Sequence, residues 1–213
     1  MEKMVKYTVK YKMNMERDCK TMKDSCKSLS LTFRPTTSSH RTQKGAKLPT
    51  IEPQKRVMGR SLNEVEYLTN IGSDDIPYGF PLIKQNIPRF KKIAERLSPS
   101  HLTVDNWDAV CTIKDTIPPP GKKWYVLLMV ETGFKRESVW WEAEDGIKYS
   151  QNMKYCKHIY FQGVYTFCGN ACGGNRVAMV TLRDEIIERL LNFLITWVLL
   201  SVRHQKEEEH RKL

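Results

Sequence analysis

The sequence predicts an α+β protein: a small antiparallel β-meander packed against a long C-terminal helix, with an extended basic N-terminal arm. Three observations lead there. The runs WYVLLMVETG (124–133), ESVWWEAEDGIKYS (137–150) and KHIYFQGVYTF (157–167) are rich in β-branched and aromatic residues and follow one another through short connections. A long apolar stretch, TLRDEIIERLLNFLITWVLLSVRHQ, comes after them behind a capping signature. The positive charge sits at the other end: residues 1–60 hold 15 Lys and Arg against 5 Asp and Glu, whereas residues 61–213 hold 20 against 19. The expected organisation is therefore a basic arm over 1–60 and one α+β domain over 61–213, with 40% hydrophobic residues supplying its core.

The opening alternates with period two. Val5, Tyr7, Val9, Tyr11, Met13 and Met15 fall on one side and Lys6, Thr8, Lys10 and Lys12 on the other, which suits an edge strand with a cationic outer face. A helix is the alternative, because Met4, Tyr7, Tyr11 and Met15 also lie roughly on one stripe. Residues 27–60 are rich in Ser, Thr, Pro and Lys without sustained period and read as an extended linker.

Ser61 followed by Glu64 is a capping box, opening a short helix over 61–71 with Leu62, Val65, Leu68 and Ile71 inward. The next piece places three prolines and two glycines among Ile76, Tyr78, Phe80, Leu82, Ile83 and Ile87. It is expected to lie extended on the protein's own core or in a partner's groove. Pro88 sits in the first turn of an amphipathic helix through Phe90, Ile93, Ala94 and Leu97, which Pro99 ends. His101 and Asp105 read as cap and turn residues, with a dyad as the alternative.

Residues 124–133 form a nearly continuous apolar strand, and Asp145-Gly146 marks a hairpin between two further strands. Gly163 suggests a bulge in the strand over 157–167. Trp140 and Trp141 are consecutive, so one faces each side of the sheet. The final helix, 181–205, opens at Thr181 with Asp184 and is apolar nearly all round from Leu190 to Val202. Its apolar run suits a buried helix or an interface, with a tail anchor as the alternative.

Only one cluster looks like chemistry. Cys156, His158, Cys168 and Cys172 fall within seventeen residues, and Cys/His sets of this kind bind zinc when they converge tetrahedrally. Cys168 and Cys172 have the spacing of a turn pair, but the set as a whole matches no standard zinc pattern. No secretory run of apolar residues follows the first lysines, so a reducing, intracellular setting is expected, cytoplasmic or cytoskeletal with the nucleus as an alternative. The preferred reading is a strand and turn with ordinary free thiols; a zinc site and a disulfide are the alternatives. No cofactor is expected beyond that zinc.

No nucleophile elbow, P-loop, G-x-G-x-x-G turn, H-E-x-x-H helix or EF-hand loop is present. Glu142, Glu144 and Asp145 fall at the expected hairpin tip, where exposure disfavours a perturbed acid or base. The sequence thus names no catalytic residue. The functional expectation is a non-enzymatic structural or protein-binding protein, its core docked on a protein partner and its basic arm on an acidic filament such as a microtubule. A basic nucleic-acid-binding protein is the second reading, and a tail-anchored membrane protein the third.

Overall fold

The computed structural model describes residues 2–36, 56–135, 138–169 and 175–210, with side chains between residues 13 and 201 of that set. The chain divides into two compact units, residues 1–79 with 88–100, and residues 80–87 with 101–213.

The first unit begins with a helix, α1 (Glu2–Ser28), where an edge strand was expected. The apolar stripe that starts at Met4 and Tyr11 continues through Met15, Cys19, Met22 and Cys26 at steps of three and four. A period of two lasts only to Met15, so the longer helical repeat prevails. Lys20 and Asp24 reinforce it as an i,i+4 pair at 2.6 Å.

The expected linker over 27–60 is in part woven into the fold. Thr36 bridges Met58, Arg56 bridges Asp75 and Gly59 bridges Tyr78, all in parallel. Asp75 holds this corner: its carboxylate accepts from Arg34 Nη2 at 2.7 Å and from Arg56 Nε at 3.1 Å. The rest of that linker, 37–55, lies outside the described residues.

Helix α2 (Leu62–Asn70) forms as its capping box predicts. Ser61 accepts from the Glu64 amide, and Glu64 reaches back to the Arg60 amide at 2.8 Å. Leu62, Val65 and Leu68 are buried. The proline-broken segment lies extended on the protein's own core: it contains a strand, β1 (Tyr78–Pro81), and both Ile76 and Tyr78 are core residues. Helix α3 (Ile87–Ala94) matches its amphipathic pattern, burying Phe90, Ile93 and Ala94.

The second unit corrects the fold class. Strands β2 (Ser100–Val104), β3 (Trp124–Glu131), β4 (Val139–Trp140) and β5 (Ile159–Tyr165) belong to a sheet ordered β1-β2-β3-β4, with β5 also paired to β3. Both β4 and β5 run parallel to β3, so these described strands do not form the expected antiparallel meander. Parallel neighbours need a crossover, and the stretch expected to form a hairpin supplies it as helix α5 (Glu144–Lys154). Glu144 and Asp145 sit in its first turn, where the helix dipole favours them. Gly146 is buried there rather than at a turn.

Helix α4 (Trp107–Asp115), capped by the Asn106 side chain on the Ala109 amide, links β2 to β3. The bulge expected at Gly163 is present: Val126 pairs with Phe161 and Leu127 with Gly163, leaving Gln162 as the extra residue. The last helix, α6 (Arg176–His210), starts earlier than Thr181, where the Asn175 side chain accepts from the Ala178 amide. Thr181 instead donates its hydroxyl to the Val177 carbonyl. Trp140 is exposed and Trp141 half-buried; β4 ends at Trp140, so Trp141 lies in the turn that follows and the two do not flank one sheet.

Candidate functional site

Open parallel sheets place their chemistry at the carboxyl ends of the strands, where loops leave towards the crossover helices. In the second unit the end of β3 is built around Glu131. Its side chain is buried, and its Oε1 accepts from the backbone amides of Gly133 at 2.6 Å and Phe134 at 2.5 Å. That interaction folds the loop back over the strand end. Gly133 takes φ +124°, and a Cβ there would lie 2.6 Å from Arg189 Nη1. Glycine is therefore favoured by the backbone conformation, and the Arg189 guanidinium takes up the space a side chain would use. Arg189, from α6, donates to the Thr132 carbonyl and pairs with Glu185 at 3.2 Å. The Thr132 and Thr166 hydroxyls meet at 2.9 Å, joining the ends of β3 and β5.

One face of the same sheet carries a second set. Strand periodicity places Tyr125, Met129 and Glu131 on that face of β3, and the register brings Tyr160 and Tyr165 of β5 alongside. His101 is buried on β2, with Nδ1 2.6 Å from Gln162 Oε1. Its ring lies 5.6 Å from Tyr125, which in turn lies 5.1 Å from Tyr160. The bulge at Gln162 thus has a local consequence, since the extra residue is the one that meets the histidine. The arrangement offers an aromatic wall with a histidine at one end and a carboxylate at the strand end. A groove of about 650 Å³ lies elsewhere, between α5 and α6 over Ile147, Phe193 and Leu200, and includes none of these groups.

Among the described residues the sequence-predicted cluster does not gather as a metal site. Cys156 and His158 are neighbours, with Sγ 3.6 Å from either ring nitrogen. Cys168 follows the far end of β5, and a seven-residue strand at ~3.3 Å per residue sets it about 20 Å away. Burial pushes the Cys168 thiol up from its ordinary value, favouring the protonated form. Cys172 lies outside the described residues, and among the described residues no three His, Cys, Asp or Glu side chains gather as a metal site. The expected hairpin-tip carboxylates Glu142, Glu144 and Asp145 stand in and just before the first turn of α5. His101, expected in a turn, is the functional candidate that sequence reasoning missed; its signal was the apolar alternation of SHLTV around it.

No protein-family model matches the chain. It is 25% identical over 132 residues to D-serine dehydratase of Schizosaccharomyces pombe, covering 58% of this chain and 32% of that enzyme. It is 27% identical over 152 residues to D-serine dehydratase of Saccharomyces cerevisiae, covering 61% and 36%. The chain thus spans about a third of the length of these curated relatives. Among solved structures, D-threo-3-hydroxyaspartate dehydratase from Delftia superposes with a TM-score of 0.78 at 17% identity, over 88% of this chain and 50% of that one. D-threonine aldolase from Filomicrobium marinum gives 0.74 at 17%, over 85% and 50%. The fold is that of these proteins, a parallel sheet with crossover helices.

These findings overturn the expectation of a non-enzymatic structural, filament-binding protein, because the proteins similar in sequence are enzymes acting on a small substrate. The physical premise of that reading also fails. The supposed free arm contains a 27-residue helix and segments bridged into the fold, and the segment 76–87 meant for a partner's groove buries Ile76, Tyr78 and Leu82. The nucleic-acid and membrane-anchor alternatives are displaced by the same comparison. Among the described residues no helix is long and apolar enough to cross a membrane.

Proposed function

We propose that this chain carries part of an enzyme of the D-serine dehydratase kind, acting on a small β-hydroxy D-amino acid with pyridoxal phosphate as cofactor. The observation that carries the reading is the similarity to two D-serine dehydratases over more than half of the chain. It is supported by a parallel sheet whose strand ends hold Glu131, Thr132 and Thr166 in a fixed hydrogen-bonded arrangement.

Such a cofactor withdraws electrons from the amino acid's α-carbon, and a lysine amine ordinarily anchors its aldehyde. The described lysines do not fit that anchor. Lys84 after β1 and Lys135 after β3 stand closest in sequence to the carboxyl ends of strands, and both are exposed. No other lysine whose side chain is described is buried, while Lys44, Lys47, Lys55 and Lys212 lie outside the described residues. The roles left to the described residues are supporting ones. Glu131 holds the loop at Gly133 and Phe134, Arg189 holds the Thr132 carbonyl, and His101 with Tyr125 and Tyr160 walls one face of the sheet.

The test is to incubate the full chain with pyridoxal phosphate, reduce with borohydride and map pyridoxylated peptides, alongside an assay for pyruvate released from D-serine. A single pyridoxylated lysine together with pyruvate formation supports the proposal. A chain that takes up no cofactor and forms no keto acid from D-serine or D-threonine refutes it.

A further inference from the structure

The turn between α5 and β5 carries a nucleophile that the proposed reaction does not use. Cys156 Sγ lies 3.6 Å from both ring nitrogens of His158, so whichever nitrogen lacks a proton stands within reach of the thiol. Backbone hydrogen bonds fix the pair. The Cys156 amide donates to the Met153 carbonyl at 3.1 Å, the Ile159 amide to the Cys156 carbonyl at 3.1 Å and the Trp124 amide to the His158 carbonyl at 2.9 Å. Among the described residues no other thiol has an imidazole within hydrogen-bonding reach.

The same thiol forms part of the wall of a cavity of about 370 Å³, shared with Lys114, Gln151, Asn152 and Tyr155. That size is at the small end of the range in which proteins hold small ligands. Lys114, in the last turn of α4, is aimed by its neighbours: its Nζ donates to Asn152 Oδ1 at 3.1 Å and lies 5.9 Å from the Trp107 ring centre. Among the described residues no carboxylate lines the cavity. Its polar groups are an ammonium, two carboxamides, a phenol and a thiol, which suit an anionic ligand with peptide groups and a sulfur atom.

We propose that Cys156 is a thiol–disulfide exchange site for a small peptide disulfide bearing carboxylates, the chemistry of glutathione disulfide. His158 takes the thiol proton. The Cys156 thiolate attacks the nearer sulfur, the old S–S bond breaks, and the departing thiolate takes the proton from His158. Cys156 is oxidised and the released thiol is the reduced product, so atoms and electrons balance with no further reactant. Lys114 holds a carboxylate of the peptide, and the Gln151 and Asn152 amides face its peptide groups. The site lies at the amino-terminal end of β5, about 20 Å along that seven-residue strand from Thr166 and the strand-end carboxylate Glu131. It does not rest on the cofactor reading.

The experiment incubates the reduced full chain with glutathione disulfide at neutral pH, quenches with acid at intervals and maps the modified peptides by mass. Cys156 should gain one glutathionyl group about tenfold faster than Cys19 on α1, which has no imidazole beside it. His158→Gln should slow Cys156 about tenfold, both towards glutathione disulfide and towards the uncharged hydroxyethyl disulfide. Lys114→Gln should slow the first about fivefold and leave the second unchanged. Circular dichroism confirms that both variants are folded. A Cys156 no faster than Cys19, a folded His158→Gln variant with an unchanged rate, or a Lys114→Gln effect equal for the two disulfides would each overturn the proposal.

Discussion

Replacing Gly146 by alanine gives a direct test of the parallel architecture, because the expected sign depends on what faces that residue. In the interior of a helix the change normally stabilises by ~1 kcal/mol, since alanine loses less backbone freedom on folding. Here the added Cβ would come within 2.7 Å of Phe193 Cε2 and 2.8 Å of Val139 Cγ1. Phe193 is almost fully buried and has little room to retreat. Overpacking of this kind costs ~1–3 kcal/mol, so Gly146→Ala should be neutral to destabilising by about 2 kcal/mol. In a Phe193→Ala background the ring contacts are gone and Val139 Cγ1 alone remains near the methyl group, so most of that cost should disappear.

The coupling between the two sites should therefore be ~1–3 kcal/mol, well outside the ~0.5 kcal/mol within which independent sites add. Urea denaturation of the four proteins, followed by tryptophan fluorescence, measures it. A Gly146 placed at the tip of a hairpin would be far from Phe193. Effects that add within error would show that α5 does not pack on α6 as described.

Asp75→Asn keeps the shape of the clasp but leaves Arg34 and Arg56 without their shared charge. With the partners half-buried the loss should be ~1–2 kcal/mol, read as a lower urea midpoint, and an unchanged midpoint would mean that the bridged segments do not depend on it. Cys168 should alkylate more slowly near pH 8 than glutathione. Its thiol pKa is raised by burial, which lowers the thiolate fraction at that pH, so its rate should keep rising as the solution is made more alkaline; peptide mapping after timed iodoacetamide labelling checks this.

The local elements that were legible in the sequence are those specified by neighbouring residues. The Ser61/Glu64 box, the Phe90 to Ala94 face and the bulge at Gly163 all appear where the pattern places them. Strand direction was not legible from the Asp-Gly pair, which here lies in the first turn of α5 and not in a hairpin. The signal for a parallel sheet was nonetheless present. WYVLLMVE is continuously apolar, as a strand covered on both faces should be, whereas a half-solvated antiparallel strand alternates. The stretch between β3 and β5 is also long enough for a crossover helix rather than a tight turn. The site was not legible because its members come from three strands and α6, with no spacing that binds them in sequence.

Charge counting misled for a related reason. It identified residues 1–60 as strongly basic and inferred a free arm seeking an acidic partner. Yet Arg34 and Arg56 both close on Asp75, a residue far along the chain, while Arg17 and Lys20 are paired with Asp18 and Asp24 on the surface of α1. A cation bound to an internal carboxylate contributes little to the attraction of a distant surface, and the pairing that removes it is a property of the fold. The same limit applied to the cysteine cluster. Closeness in sequence brought Cys156 and His158 together, but the intervening strand carried Cys168 to the other end of the sheet. Extended backbone turns short sequence separations into long distances, so a ligand set that flanks a strand cannot close on one ion.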